Sequence, residues 1–282
     1  MSSQRSELFL KCGPGAETLY LQHWQPSQKA KGTVLITHGV AEHSDCYHLT
    51  AHTLNEQGFD VWSWDLPGHG KSYGQRGYVS SFSEFIERLQ QVVTAVHERA
   101  PSDAPFILLG HSLGGLITMK FALDHKEAPV RAYVLSSPAF GVKIQVPFIK
   151  DQAAKILLHL APKLTIPHQI VFEDLSHDRA LTKTYYKDPL RHSKFSAPLY
   201  FGILETMKEV QDRAHELKKP ILIQASGQDR IVDTVATQEL FNKLSSPKKA
   251  LKIYVNSYHE IFNDLEKETV VADFVNFVSE CK

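Results

Sequence analysis

The chain has 282 residues, with 31 lysines and arginines against 31 aspartates and glutamates; at ~150 residues per domain this allows two domains, although α/β architectures of this size often form one. Hydrophobic residues at 43% and charged residues at 22% give a globular balance, and a formal net charge of zero excludes intrinsic disorder and a protein built mainly to bind nucleic acid, which needs a cationic excess. The three cysteines, Cys12, Cys46 and Cys281, are far apart and form no CxxC pair, which excludes a disulfide framework or a zinc ribbon.

Met1 to Gly15 carries one short apolar patch, Leu8 to Leu10, less than the ~7–15 apolar residues of a signal peptide. No stretch approaches the ~20 apolar residues of a transmembrane helix. These features predict a soluble, cytoplasmic protein.

Leu19 to Trp24 alternates apolar with polar and reads as an edge strand. Short apolar runs follow at Thr33–Thr37, Phe59–Trp64, Phe106–Leu109, Ala132–Leu135, Ile221–Gln224 and Leu251–Val255. Such runs suit strands buried on both faces of a mostly parallel sheet. Between them lie helical patterns at Ala51–Glu56, Leu113–Leu123, Thr234–Leu244 and Val270–Val278. Another is marked by Phe82, Phe85, Ile86, Leu89, Val92, Val93 and Val96, with Ser81 and Glu84 spaced as a capping box. Strand alternating with helix predicts an α/β fold.

The alternation stops between Ala139 and Thr206, where Pro147, Pro162, Pro167, Pro189 and Pro198 punctuate short apolar clusters. The stretch is too long for a structureless loop. Residues 1–138 and 207–282 are therefore expected to form the core, with 139–206 inserted as a mostly helical cap. Within it Val146, Ile149, Ala153, Ile156, Leu157 and Leu160 fall near helical spacing among Lys150, Lys155 and Lys163. Two fates are open to that face: packing onto the core, or peripheral contact with a lipid surface.

Gly110-His111-Ser112-Leu113-Gly114 matches GxSxG, preceded by a predicted strand and followed by a predicted helix. That context makes Ser112 the candidate nucleophile, on a sharp turn at the carboxyl end of the sheet. A serine nucleophile needs a base, and the base an orienting carboxylate, in the chain order Ser, acid, His. Among fifteen histidines, position selects His259, which alone follows the last predicted strand. The acid should follow Ile221–Gln224, where Asp229 lies; Asp233, directly before a helical run, reads as its N-cap. An oxyanion hole needs two N–H groups, expected here from Leu113 and from Val40 after His38-Gly39. His38 itself reads as a residue that structures this loop.

His38-Gly39, Glu42-His43-Ser44 and Tyr47 together resemble the HGxxEHSxRY stretch of monoacylglycerol lipases and lysophospholipase-type serine hydrolases of the α/β-hydrolase superfamily. Asp65 to Ser72 resembles their D-x-x-G-H-G-x-S segment, and Ser136-Ser137-Pro138, Asp188-Pro189, Tyr258-His259-Glu260 and Asn263-Asp264 are similar too. The resemblance runs from Leu19 to Phe277. It implies an α/β-hydrolase fold with a helical cap. It also implies hydrolysis of a lipid-like carboxylic ester, monoacylglycerol above all, with no cofactor. By the same resemblance Glu42, His111 and Tyr185 would contact the substrate head group. The chain departs from the family at Cys46, where an arginine is common; a thiol can neither lock the loop to Glu42 nor bind a polar head group as a guanidinium would.

Other chemistries find less support. His38, His43, His48 and His52 lie near Glu42, Asp45 and Cys46, but HExxH is absent and no metal is expected. Gly68-His69-Gly70 is too short for a phosphate loop. A lysophospholipase would need a cationic site at the cap mouth, for which Lys143, Lys150 and Lys155 are candidates. A non-catalytic binding protein on this fold would be expected to lack a member of the triad.

Overall fold

The structure, a computed structural model, describes residues 4–102, 104–143 and 148–281, without the side chains of 148–151. Its strands are β1 (Gln4–Lys11), β2 (Thr18–Gln25), β3 (Thr33–Thr37), β4 (Asp60–Trp64), β5 (Phe106–His111), β6 (Ala132–Ser136), β7 (Thr165–Pro167), β8 (Lys194–Ser196), β9 (Ile221–Ser226) and β10 (Lys249–Tyr254). Its helices are α1 (His48–Glu56), α2 (Ser83–His97), α3 (Leu113–Asp124), α4 (Phe148–Leu160), α5 (Arg179–Tyr185), α6 (Ala197–Arg213), α7 (Thr234–Lys243) and α8 (Lys267–Ser279). Eight strands form one sheet in the order β1-β2-β4-β3-β5-β6-β9-β10. From β4 to β10 neighbouring strands are parallel, and β2 is antiparallel to both β1 and β4.

Both faces of this sheet are covered. Val34, Ile36, Ile107, Leu109, Val134 and Leu222 point to one side and pack with Leu54 of α1 and Phe274 of α8. The residues between them, Leu35, Leu108, Tyr133, Leu135, Ile221 and Ile223, join the opposite core with side chains of α2, α3, α6 and α7. A period of two with both sets buried is what makes these strands read as unbroken apolar runs. Each such side chain taken from water contributes about 1.5–3 kcal/mol.

Two expectations are corrected and a third is met. Leu19–Trp24 is not an edge: β1 pairs outside it along its whole length, from Gln4↔Gln25 to Lys11↔Thr18. The outer strand, QRSELFLK, is mostly polar and exposed and so carries no apolar strand signal. The Ser81–Glu84 capping box does not form, because α2 begins at Ser83 and its N-cap, Phe82, has no side-chain cap. Glu84 instead accepts hydrogen bonds from Tyr73 and Ser80 hydroxyls. The Asp233 cap does form: its carboxylate accepts from Val235 N at 2.9 Å.

Between β6 and β9 the chain leaves the sheet. It forms α4, α5, α6 and the small antiparallel pair β7–β8, a pair of three-residue strands too short to show a period. Helix α6 runs through residue 206 without a break. Ala153, Ile156 and Leu160 of α4 are exposed; Val146 lies outside the described residues, as do the side chains of Ile149 and Lys150.

Candidate active site

Ser112 stands between the end of β5 and the start of α3 at φ 52° and ψ −117°. A non-glycine residue there stores about 1–3 kcal/mol of strain, tolerated where the surroundings over-determine it. The flanking glycines make the turn passable. A Cβ on Gly114 would run into the carbonyl oxygens of Thr37 and His38, and one on Gly110 into Gly114 O and Thr118. Ser112 N donates to Ser136 O at 3.0 Å, pinning the turn to β6.

Asp229 follows β9, and its two oxygens divide the work. Oδ1 accepts from the Ile231 and Val232 N–H groups, both at 2.9 Å, and Oδ2 meets His259 Nδ1 at 2.7 Å. An ionised carboxylate only accepts, so Nδ1 carries the proton and Nε2 is left as the basic nitrogen. Burial opposes the charge on Asp229, yet His259 and the two backbone donors outweigh it and hold its pKa below the ordinary 3.8. Burial likewise opposes the imidazolium of His259, and the Asp229 charge and hydrogen bond overcome it, raising the pKa above 6.5. Ser112 and His259 both line a small cavity of about 20 Å³. Beside it, a larger chamber of about 210 Å³ has Val40, Ser112 and Leu113 in its lining, with Leu157, Leu164, Ile166, Tyr200, Ile203 and Met207 around them.

The loop after β3 is held by its own side chains. His38 Nδ1 lies 2.7 Å from Gly39 O, and its Nε2 accepts from Leu66 N at 3.0 Å, the structuring role expected of it. Glu42 Oε2 accepts from Gly39 N at 3.1 Å and from Tyr47 OH at 2.8 Å. That leaves Val40 N–H without an acceptor among the described residues; Leu113 N–H, in the first turn of α3, has no intrahelical partner either.

The head-group residues expected from the resemblance are placed unevenly. Glu42 reaches the small cavity but is also a structural acceptor, held at a pKa of about 2 because the Arg191 charge leads the groups that overcome the cost of burial. His111 lies behind the nucleophile, its ring 4.8 Å from that of His259 and its Nδ1 3.1 Å from Ser136 Oγ. Burial and the neighbouring His259 push its pKa down to about 4, so it is neutral. Tyr185 is a correction: it lines neither the chamber nor the small cavity, since its hydroxyl donates to Glu260 Oε2 at 2.5 Å. Lys143 is not a free cation at the mouth, because its Nζ donates to Asp229 O at 2.9 Å. Among the described residues His43, Cys46 and Asp188 gather ligand-type atoms within 4.8 Å, but His43 Nε2 and Asp188 Oδ2 already bond each other at 2.8 Å.

Sequence reasoning missed Arg191. Its buried guanidinium approaches Glu42 Oε1 at 3.9 Å and Glu260 Oε1 at 3.7 Å. Cys46 cannot supply a cation at Glu42, and one arrives from the segment between β6 and β9 instead. In the sequence Tyr185 and the Asp188-Pro189 pair mark that segment, and Arg191 carries no signal of its own.

A family model described as serine aminopeptidase, S33, matches residues 28–266. The chain is 30% identical over 279 residues to the monoacylglycerol lipase of Mycolicibacterium smegmatis, covering 99% of this chain and 98% of that one. It is 31% identical over 265 residues to an uncharacterized abhydrolase domain-containing protein of Dictyostelium discoideum, covering 94% of this chain but spanning only 28% of that relative. Among solved structures, the monoacylglycerol lipase of Paleococcus ferrophilus superposes with a TM-score of 0.84 at 29% identity, over 94% of this chain and 99% of that one.

Proposed function

This chain belongs to the serine aminopeptidase S33 family and has the α/β-hydrolase fold, and from that premise we propose that it hydrolyses carboxylic esters of lipid-like substrates, monoacylglycerol foremost. The observation that carries this reading is an apolar chamber with Ser112 in its wall, beside a small cavity that Ser112 shares with the Asp229-paired His259. In this reading the acyl chain lies along the first space, and the alcohol side of the ester faces the second.

In this reading His259 Nε2 takes the proton of Ser112 as its Oγ attacks the ester carbonyl. The Val40 and Leu113 N–H groups hold the oxyanion, and Asp229 keeps His259 in its working tautomer. The alcohol leaves with the proton from His259, and water then cleaves the acyl-enzyme by the same steps. No cofactor enters. A fluorophosphonate probe tests the reading: one label per chain, on the peptide that contains Ser112, is expected. Unlabelled folded protein would instead fit a non-catalytic binding protein.

The base must be neutral to act, so kcat/KM on a soluble ester should fall as pH drops through the His259 pKa. Because that pKa is raised, the acidic limb should lie above pH 6.5. A profile flat from weakly acidic to weakly basic pH would contradict a histidine base.

Residues 139–206 act as a cap in this proposal, since Leu157, Leu164, Ile166 and Tyr200 reach the chamber from them. Ile156 is 59% exposed and Leu160 80%, which fits contact with lipid better than packing on the core. In this proposal the protein is cytoplasmic and touches membranes peripherally. Ile156→Ser with Leu160→Ser should weaken vesicle binding and slow attack on aggregated long-chain substrate, while the rate on a soluble short-chain ester holds. Equal loss on both substrates would show instead that the face is structural.

A further inference from the structure

The small cavity that Ser112 and His259 share also has Arg191 in its wall. The guanidinium carbon sits 3.7 Å from the centroid of the Tyr185 ring, stacked on its face. Both carboxylate approaches, at 3.9 and 3.7 Å, are too long for hydrogen bonds. Arg191 Nε is buried with no partner among the described residues. The residue is only 9% exposed, and a buried donor left unpaired costs about 1–3 kcal/mol or more when charged. Glu260 Oε1 beside it is likewise buried without a hydrogen bond, so the guanidinium keeps donor capacity, next to a free acceptor, at the cavity it lines.

Three contacts deliver this side chain to the site. Asp188 Oδ2 bonds His43 Nε2 at 2.8 Å, tying the segment to the loop after β3. Asp188 Oδ1 accepts from Leu190 N at 2.9 Å and turns the chain toward Arg191. Tyr185 OH donates to Glu260, next to His259. Glu42 and Glu260 flank the guanidinium, so the pocket is not positively charged overall. An anionic phosphate would meet two carboxyl groups there, whereas a neutral hydroxyl can accept from the guanidinium and donate to a carboxylate.

We propose that Arg191 is the specificity-determining residue for the alcohol half of the ester and selects a neutral, hydroxyl-bearing leaving group over an anionic one. This rests on the ester-hydrolase reading above, and it assigns to Arg191 the donor aimed at the substrate hydroxyl.

The test compares kcat/KM on 1-monooctanoylglycerol, methyl octanoate and 1-octanoyl-lysophosphatidic acid, for the wild type, Arg191→Gln and Arg191→Lys. The wild type should prefer the glycerol ester to the phosphate-bearing one by tenfold or more. Loss of one charged hydrogen bond predicts that Arg191→Gln lowers the glycerol-to-methyl ratio by about 10- to 100-fold. Arg191→Lys keeps the charge without the planar fork and should lower the ratio in the same direction; it carries the test should the glutamine variant not fold. A merely structural role would depress both octanoates by one factor and leave the ratio fixed, which overturns the proposal, as would a wild type that prefers the phosphate ester. A wild type that cleaves none of the three and takes no fluorophosphonate label would overturn the hydrolase reading itself.

Discussion

Ser112→Ala should lower kcat by roughly 10³-fold or more on any ester the protein cleaves, with the fold intact. The loss is of this order because the acyl-enzyme route closes completely, while the oxyanion donors and the chamber still bind substrate. Stability should hardly change: alanine keeps the Cβ and meets the same φ of 52°, and Ser112 N still donates to Ser136 O. The check is steady-state turnover beside a thermal melt. A folded variant with near wild-type turnover would remove Ser112 from the mechanism.

Asp229→Asn should cost about 10⁴ in kcat. The amide oxygen can still accept from the Ile231 and Val232 N–H groups, so the loop keeps its shape. The amide NH₂, however, would then face His259 Nδ1 and donate to it, which moves the imidazole proton to Nε2, where the base is needed. The raised pKa of His259, which depends on the Asp229 charge, should fall in the same variant, and the acidic limb of the pH profile should move down with it. Asp233→Ala is the matched control. It removes the cap on Val235 N and should cost about 1 kcal/mol of stability with little effect on turnover. If Asp233→Ala were the inactive variant and Asp229→Asn the active one, the two roles would have to be exchanged.

Much of this arrangement is legible in the sequence. Strands β3, β5, β6 and β9 are buried on both faces, so their apolar runs stand out, and GxSxG between strand and helix marks one serine among many. Chain order then narrows fifteen histidines to His259. What stayed hidden has physical causes. Strand β1 is mostly exposed and polar, which makes its partner β2 read as an edge. The β7–β8 pair is held by the fold around it, not by its own pattern. Ser81 and Glu84 have the spacing of a capping box, but Tyr73 and Ser80 compete for the carboxylate. Tyr185 and Arg191 are brought to Glu260 by tertiary contacts across large sequence separations, which no local spacing records. Tyr185 accordingly supports the guanidinium and leaves the cavity wall to it.

The most direct measurement is a hydrolysis panel at equal concentration: a monoacylglycerol, a lysophospholipid, a short aryl ester and an amino-acid amide. A lipid-ester hydrolase with an apolar acyl chamber and a small polar alcohol pocket predicts the highest kcat/KM on the monoacylglycerol, with fatty acid and glycerol released one for one. Cleavage of the amide with the monoacylglycerol left intact would contradict it.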